Sequence, residues 1–281
     1  MVKFSFKEQY DISDLVEIVR LLRAPGGCPW DREQDHHSIR KNLIEEAYEV
    51  AEAIDMESVP MLREELGDLL LQVVLHAQME AEKGAFSFSD VCNEICQKLI
   101  VRHPHVFGDV RAESTGEVLN NWDAIKQQTK GQTTVAQTLE SVPRTLPALM
   151  RAEKVQHRAA KAGLGESSVP GALSSLQGEV ERLHAALEAG PGAGEELGGV
   201  LFAAVQAARQ LGRDPEELLS ASTDRFIRQA KRTEELAAQQ GLTLKDCTAE
   251  QLDVCWRQAK DNISVTQQEP SAIGMGTVDK A

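Results

Sequence analysis

The sequence predicts an all-α protein made of two tandem helical bundles. Three observations carry that prediction. Apolar residues recur at helical spacing through nearly every long segment, as in Leu43, Ala47, Val50, Ala51 and Ile54. The segments are separated by breaks rich in glycine and proline, such as APGGCPW from Ala24. Finally, the chain repeats itself: EELGDLLLQVVLHAQ from Glu64 returns as EELGGVLFAAVQAAR from Glu195, and Trp122 and Lys126 return as Trp256 and Lys260. The expected organisation is a first domain over 1–130, a linker over 131–147, a second domain over 148–262 and a disordered tail over 263–281.

In chain order, ISDLVEIVRLLR at 12–23 reads as a short amphipathic helix with Leu15, Ile18, Val19 and Leu22 on one face. The following break places Trp30 in a loop, either as a plug on the bundle or as the wall of a substrate pocket. Ser38 to Ile54 and Met61 to Glu82 are the next two helices, joined by a short gap that contains Pro60. Gly67 weakens the second of them by about 1 kcal/mol relative to alanine, which a close helix approach would explain. Lys83-Gly84 ends that helix. A helix from Asp90 to Arg102 turns Val91, Ile95, Leu99 and Ile100 inward and carries Lys98 and Arg102 one turn apart. HPHVFGDV follows as a loop, then a helix over Glu117 to Lys130 with Trp122 and Lys126 one turn apart. GQTTVAQTLESVPRTLP reads as the linker, and Ala148 to Ala162 as the first helix beyond it.

The 43–73 stretch concentrates the chemistry. At about 100° per residue, Glu46 and Glu49 flank the apolar stripe of the first helix. Glu65 and Asp68 take the same two angles beside Leu62, Leu66, Leu69, Leu70 and Val73 on the second. An antiparallel pair would bring four carboxylates together. Like charges about 4 Å apart repel by roughly 1 kcal/mol in water and about 4 at an effective dielectric near 20. Mg²⁺, with Mn²⁺ as a substitute, suits such hard oxygen ligands and attracts phosphate oxygens. Glu45, Glu52 and Glu64 lie nearer the solvent side. Leu71, Val74 and Leu75 make the second helix apolar on its far side too, which predicts burial by a second subunit and hence a homodimer.

EEAYE, a gap, then EELGD resembles the MazG-type nucleoside triphosphate pyrophosphohydrolases, whose signature is E-x-x-E followed by E-x-x-D on adjacent helices. GGCPWDREQ at 26–34 and RHPHVFGD at 102–109 resemble further segments of that family. The resemblance implies Mg²⁺-dependent hydrolysis of a nucleoside triphosphate between its α and β phosphates. It implies metal ligands Glu46, Glu49, Glu65 and Asp68, and substrate contacts from Lys98, Arg102, Trp122 and Lys126, beside Trp30 as the pocket wall or plug read above. A carboxylate not saturated by metal, Glu45 or Glu49, would take the proton of the attacking water. In the second copy Gln177, Gly178 and Glu181 stand against Glu45, Glu46 and Glu49, and Gly199 against Asp68. A register shift bringing in Glu179 would compensate in part; the simpler expectation is a second copy that keeps the fold without the metal centre.

Composition narrows the alternatives. The 281 residues carry 44 acidic and 30 basic side chains, a formal charge of −14 that disfavours a broad nucleic-acid footprint. No apolar run reaches membrane-spanning length and no signal core opens the chain, so a cytoplasmic protein is expected. Five cysteines without a C-x-x-C pair read as reduced thiols. There is no P-loop, which disfavours a motor-type ATPase. Two other classes remain: a nucleotide-sensing regulatory protein without turnover, and a di-metal oxidoreductase, which would want a Glu-x-x-His that the acidic helices lack.

Overall fold

The computed structural model describes residues 2–111, 114, 116–118, 125, 133–189 and 193–266, with side chains to 260. The described residues form helices and no strand. The chain divides into two units, Met1–Lys130 and Gly131–Ala281.

The first unit runs α1 (Ile12–Arg23), α2 (Pro29–Glu33), α3 (Arg40–Asp55), α4 (Val59–Glu82), α5 (Phe88–Arg102) and α6 (Pro104–Phe107). Asp11 starts α1 with a capping box: its carboxylate accepts from the Ser13 and Asp14 amides at 2.8 and 3.1 Å, and Asp14 accepts from the Asp11 amide at 3.0 Å. Ser87 and Asp90 do the same for α5, which explains why that helix begins two residues before Asp90. After α1 the chain doubles back so closely that a side chain on Gly27 would lie 2.3 Å from the Leu21 and Leu22 carbonyl oxygens. Glycine is required there by contact. Arg23, its side chain 7% exposed, locks this turn: Nε and Nη2 donate to Glu82 at 2.8 and 3.0 Å, and Nη1 donates to the carbonyls of Asp31 and Gln34.

The core of the unit is Val19, Ile39, Val74, Leu75 and Met79, with Leu15, Val16, Leu71 and Phe88 packed against it. This corrects the reading of α4. The side bearing Leu71, Val74 and Leu75 is covered by α1 of the same chain, not by a second subunit. The stripe expected to be inside is split: Leu62 and Leu69 are half-buried, while Leu66, Leu70 and Val73 are left open at 49%, 38% and 36% exposed. The helix is long enough to pack on α3 with its first half and on α1 with its second. Periodicity finds both stripes but does not say which neighbour each will meet. On α5, Val91 is half-buried, but Ile95, Leu99 and Ile100 are exposed rather than inward. Gly67 has open space where a Cβ would stand, so close packing within the chain does not account for it. Trp30 lies on the short helix α2 and is 58% exposed, so it is not a core plug. HPHVF is helical at Pro104–Phe107 rather than looped.

The second unit comprises α7 (Val135–Glu140), α8 (Ala148–Lys161), α9 (Val169–Ala189), α10 (Ala193–Gln210), α11 (Pro215–Gln239) and α12 (Ala249–Thr266). The stretch read as a linker is therefore partly helix. Thr134 and Gln137 form a capping box on α7, Arg158 of α8 donates to the Thr138 carbonyl and to Ser141 Oγ at 2.5 and 2.6 Å, and Val142 is buried. The α9–α10 hairpin repeats α3–α4, and α10 buries Ala203, Val205, Ala207 and Ala208. Gln156 of α8 donates to the Phe202 carbonyl at 2.7 Å. On α11 and α12, Trp256 stacks edge-on against Phe226 with centroids 5.3 Å apart. α12 continues to Thr266, past the expected start of the tail, and 267–281 lie outside the described residues.

Candidate metal centre

α3 and α4 are joined through Met56–Ser58, with Glu57 in the left-handed region at φ 50°. The Met56 amide closes on Glu52 O at 2.9 Å and the Ser58 amide on Ala53 O at 3.1 Å. So short a turn makes the helices adjacent and antiparallel. It sets the second and third turns of α4, which carry Glu65 and Asp68, beside the middle of α3, which carries Glu46 and Glu49.

The result is a convergence of carboxylates. One oxygen from each of Glu46, Glu49 and Glu65 falls within a span of 4.8 Å, and among the described residues this is the one such group of potential metal ligands. Glu46 and Glu65 are half-buried and Glu49 is exposed. Loss of solvent, followed by the charges of Asp68 and Glu49, pushes the Glu46 carboxyl above the usual carboxylate range. Loss of solvent and the charges of Glu49, Glu64 and Asp68 do the same to Glu65. Asp68 is thus electrostatically part of the group, although its oxygens fall outside the tight set of three. A divalent cation fits this donor set: hard oxygens, repelling one another, partly out of water, on two rigid helices.

The other expected residues are placed differently. Glu45 is exposed on α3, one turn before Glu49. Lys98 lines a groove on α5 with Phe86, Asp90, Val91, Glu94 and Ile95. Arg102 is half-buried at the end of α5. Trp122 and Lys126 lie outside the described residues.

Two features of the unit escape a motif search. One is the Arg23 clamp. The other is a row in which His36 Nδ1 lies 2.7 Å from His76 Nδ1, His36 Nε2 lies 2.5 Å from Glu80 Oε1, and Lys83 Nζ donates to the same Glu80 oxygen at 2.6 Å. The two imidazole rings are stacked, 9° from parallel. Burial, then the neighbouring His36, depresses His76 below the ordinary imidazole value. Its Nε2 is buried without a hydrogen-bond partner. Only the i, i+4 spacing of His76 and Glu80 is a signal in the sequence.

An all-α unit that sets E-x-x-E against E-x-x-D across a tight helical hairpin is, in class, a helical scaffold with a carboxylate-lined candidate metal site. Residues 34–107 match the model of the MazG nucleotide pyrophosphohydrolase domain. The chain is 42% identical over 247 residues to the nucleoside triphosphate pyrophosphohydrolase/pyrophosphatase MazG of Thermotoga maritima, covering 88% of this chain and 94% of that one. It is 40% identical over 260 residues to the nucleoside triphosphate pyrophosphohydrolase of Escherichia coli K12, covering 89% and 97%. It is also 41% identical over 255 residues to the protein YabN of Bacillus subtilis, where the match takes in 90% of this chain and 52% of that one. The chain belongs to the MazG family.

Proposed function

We propose that this chain hydrolyses nucleoside triphosphates to nucleoside monophosphate and pyrophosphate, in a divalent-cation-dependent reaction at the first unit that serves the upkeep of the nucleotide pool. The observation that carries the reading is the convergence of Glu46, Glu49 and Glu65 within 4.8 Å. Glu46, Glu49, Glu65 and Asp68 would hold Mg²⁺ or Mn²⁺. The ion, when bound, supplies charge to polarise the α-phosphoryl group and to acidify a water.

The rest falls to side chains. Lys98, Arg102 and Lys126 would offset charge on the phosphate chain, and Trp122 and Trp30 would bound the nucleoside. With Glu49 in the ligand set, Glu45 is the carboxylate left to accept the water proton. The family membership and the relatives' names support the bond cleaved. The reduced thiols and the lack, among the described residues, of a helix long and apolar enough to cross a membrane support a cytoplasmic setting. Ile44 and Tyr48 on α3 and Leu66, Leu70 and Val73 on α4 are large apolar side chains left exposed. Leu197 and Leu201 repeat the positions of Leu66 and Leu70 on α10 and are open as well. That both copies leave the same positions uncovered supports a homodimer.

The test is a panel of nucleoside triphosphates with and without Mg²⁺, reading pyrophosphate and orthophosphate separately. Pyrophosphate released only with the ion is the expected result. Orthophosphate as the sole primary product overturns the bond assignment, and activity that survives EDTA overturns the metal centre.

A further inference from the structure

The second unit shows what became of the same centre. On α10, Glu196 stands where α4 has Glu65, and Gly199 where it has Asp68. Matching α9 to α3 with Gly178 opposite Glu46 places no acid near Gly199. The structure selects a register one residue further on. A Cβ on Gly199 would lie 2.6 Å from Glu179 Oε2, so Glu179 reaches the Asp68 position just as Glu46 feels Asp68 in the first unit. In this register Glu179 answers Glu46 and Arg182 answers Glu49. Burial agrees: Glu179 and Glu196 are half-buried and Arg182 exposed, as Glu46 and Glu65 are half-buried and Glu49 exposed.

Arg182 is therefore a cation built into a position that holds a ligand carboxylate in the first unit. Its Nε donates to Glu179 Oε2 at 3.1 Å and its Nη2 donates to Glu179 Oε1, a two-pronged pair. The Glu196 charge also acts on it. Glu181, the acid of the earlier register, is engaged elsewhere, accepting from Gln177 Nε2 at 3.0 Å.

We propose that in the second unit Arg182 takes the place that the divalent cation takes in the first, neutralising Glu179 and Glu196 with a side chain, so that this unit binds no divalent cation. The inference rests on the metal reading of the first unit for its comparison. Two changes separate the states. A guanidinium supplies a fixed positive charge that needs no ion, and the missing side chain at Gly199 gives the Glu179 carboxylate room to lie against α10. Arg182→Glu removes the anchor that holds Glu179 over Gly199. Gly199→Asp then adds the absent acid, and Glu179, at the end of a flexible side chain, can swing aside for it.

The experiment is Mn²⁺ binding to the full chain, read from the electron paramagnetic resonance of free Mn²⁺. E49Q/E65Q, which changes nothing in the second unit, is expected to lower Mn²⁺ affinity by at least about tenfold, as loss of ligand charge does, leaving no second class of site. Adding R182E/G199D to that variant is expected to restore binding and an Mn²⁺-dependent rise in Tm. A smaller gain of the same kind is expected from R182E alone. Wild type failing to bind Mn²⁺ would sink the first-unit reading. The second-unit inference fails separately, on either of two results: Mn²⁺ retained by E49Q/E65Q and lost on adding E179Q, or a helical R182E/G199D chain that gains none.

Discussion

Asp68 and Glu196 make the sharpest contrast between single residues. Asp68 sits one turn after Glu65 and contributes charge to both half-buried glutamates of the cluster. Asp68→Asn removes that charge at nearly constant volume. It is expected to lower turnover by at least about tenfold, roughly 1.4 kcal/mol of transition-state stabilisation, while leaving the unfolding midpoint in place. Glu196→Gln faces Arg182 rather than an ion, so turnover there is expected to stay near wild type. Steady-state pyrophosphate release measures both, and the reverse pattern would move the active site to the second unit. These acids were legible in the sequence because ligands on two helices must recur at three-residue spacing. Arg23 was not, since its partners are carbonyls and a glutamate 59 residues away, and nothing local marks such a reach. Arg23→Met keeps the stem and deletes the donors, leaving the Asp31 and Gln34 carbonyls short of partners. A loss of about 1–3 kcal/mol of stability is expected for such orphaned groups, read as a lower urea midpoint.

At the scale of elements, α4 shows both how far periodicity reaches and where it stops. Its existence and its end at Glu82 follow from spacing and from Lys83-Gly84. Which side is core does not, because α1 and α3 compete for an apolar cylinder and only the tertiary fold decides. The capping boxes of α5 and α7 were visible in principle as S-x-x-D and T-x-x-Q, and they account for the earlier start of one helix and the folding of part of a presumed linker. The tie between α4 and the turn before α3 runs through His36, His76 and Glu80, and it carries a pH dependence. His76 is depressed below 6.5 when folded, so below that value the unfolded chain binds more protons than the folded one. Its contribution is present above the unfolded value and lost as pH falls through the folded one. Glu80, depressed below 4.5 by Lys83 and then His36, adds a loss at lower pH of the same sign. Urea midpoints are therefore expected to fall between about pH 7 and about pH 5. His76→Phe, which keeps a ring against His36 and cannot titrate, is expected to flatten that limb. An unchanged slope would assign it to other groups.

At the scale of the whole molecule, the repeat links fold and assembly. The same helical hairpin occurs in both units, and the two copies match on the buried face but not in the acids: Val74 and Val205 are both buried, as are Ala77 and Ala208, whereas Gly199 stands in the place of Asp68. Exposed apolar positions match as well. Leu66 and Leu197 are each 49% exposed, and Leu70 and Leu201 are 38% and 56% exposed. Large apolar residues retained in water at matching positions of diverged copies cost solubility in a lone chain, so an apolar partner surface is the economical explanation. A second copy of this chain offers that surface by symmetry, because an isologous contact sets a patch against itself. Sedimentation at micromolar concentration is expected to give a dimer. Leu70→Glu with Leu201→Glu places like charges against each other across a two-fold contact and is expected to shift the chain to a monomer, with its helical circular dichroism intact because neither side chain belongs to the buried core. A wild-type monomer would remove the dimer. A variant that still sediments as a dimer would place the contact on another face, and α5, where Ile95, Leu99 and Ile100 are also open, would be the next surface to charge.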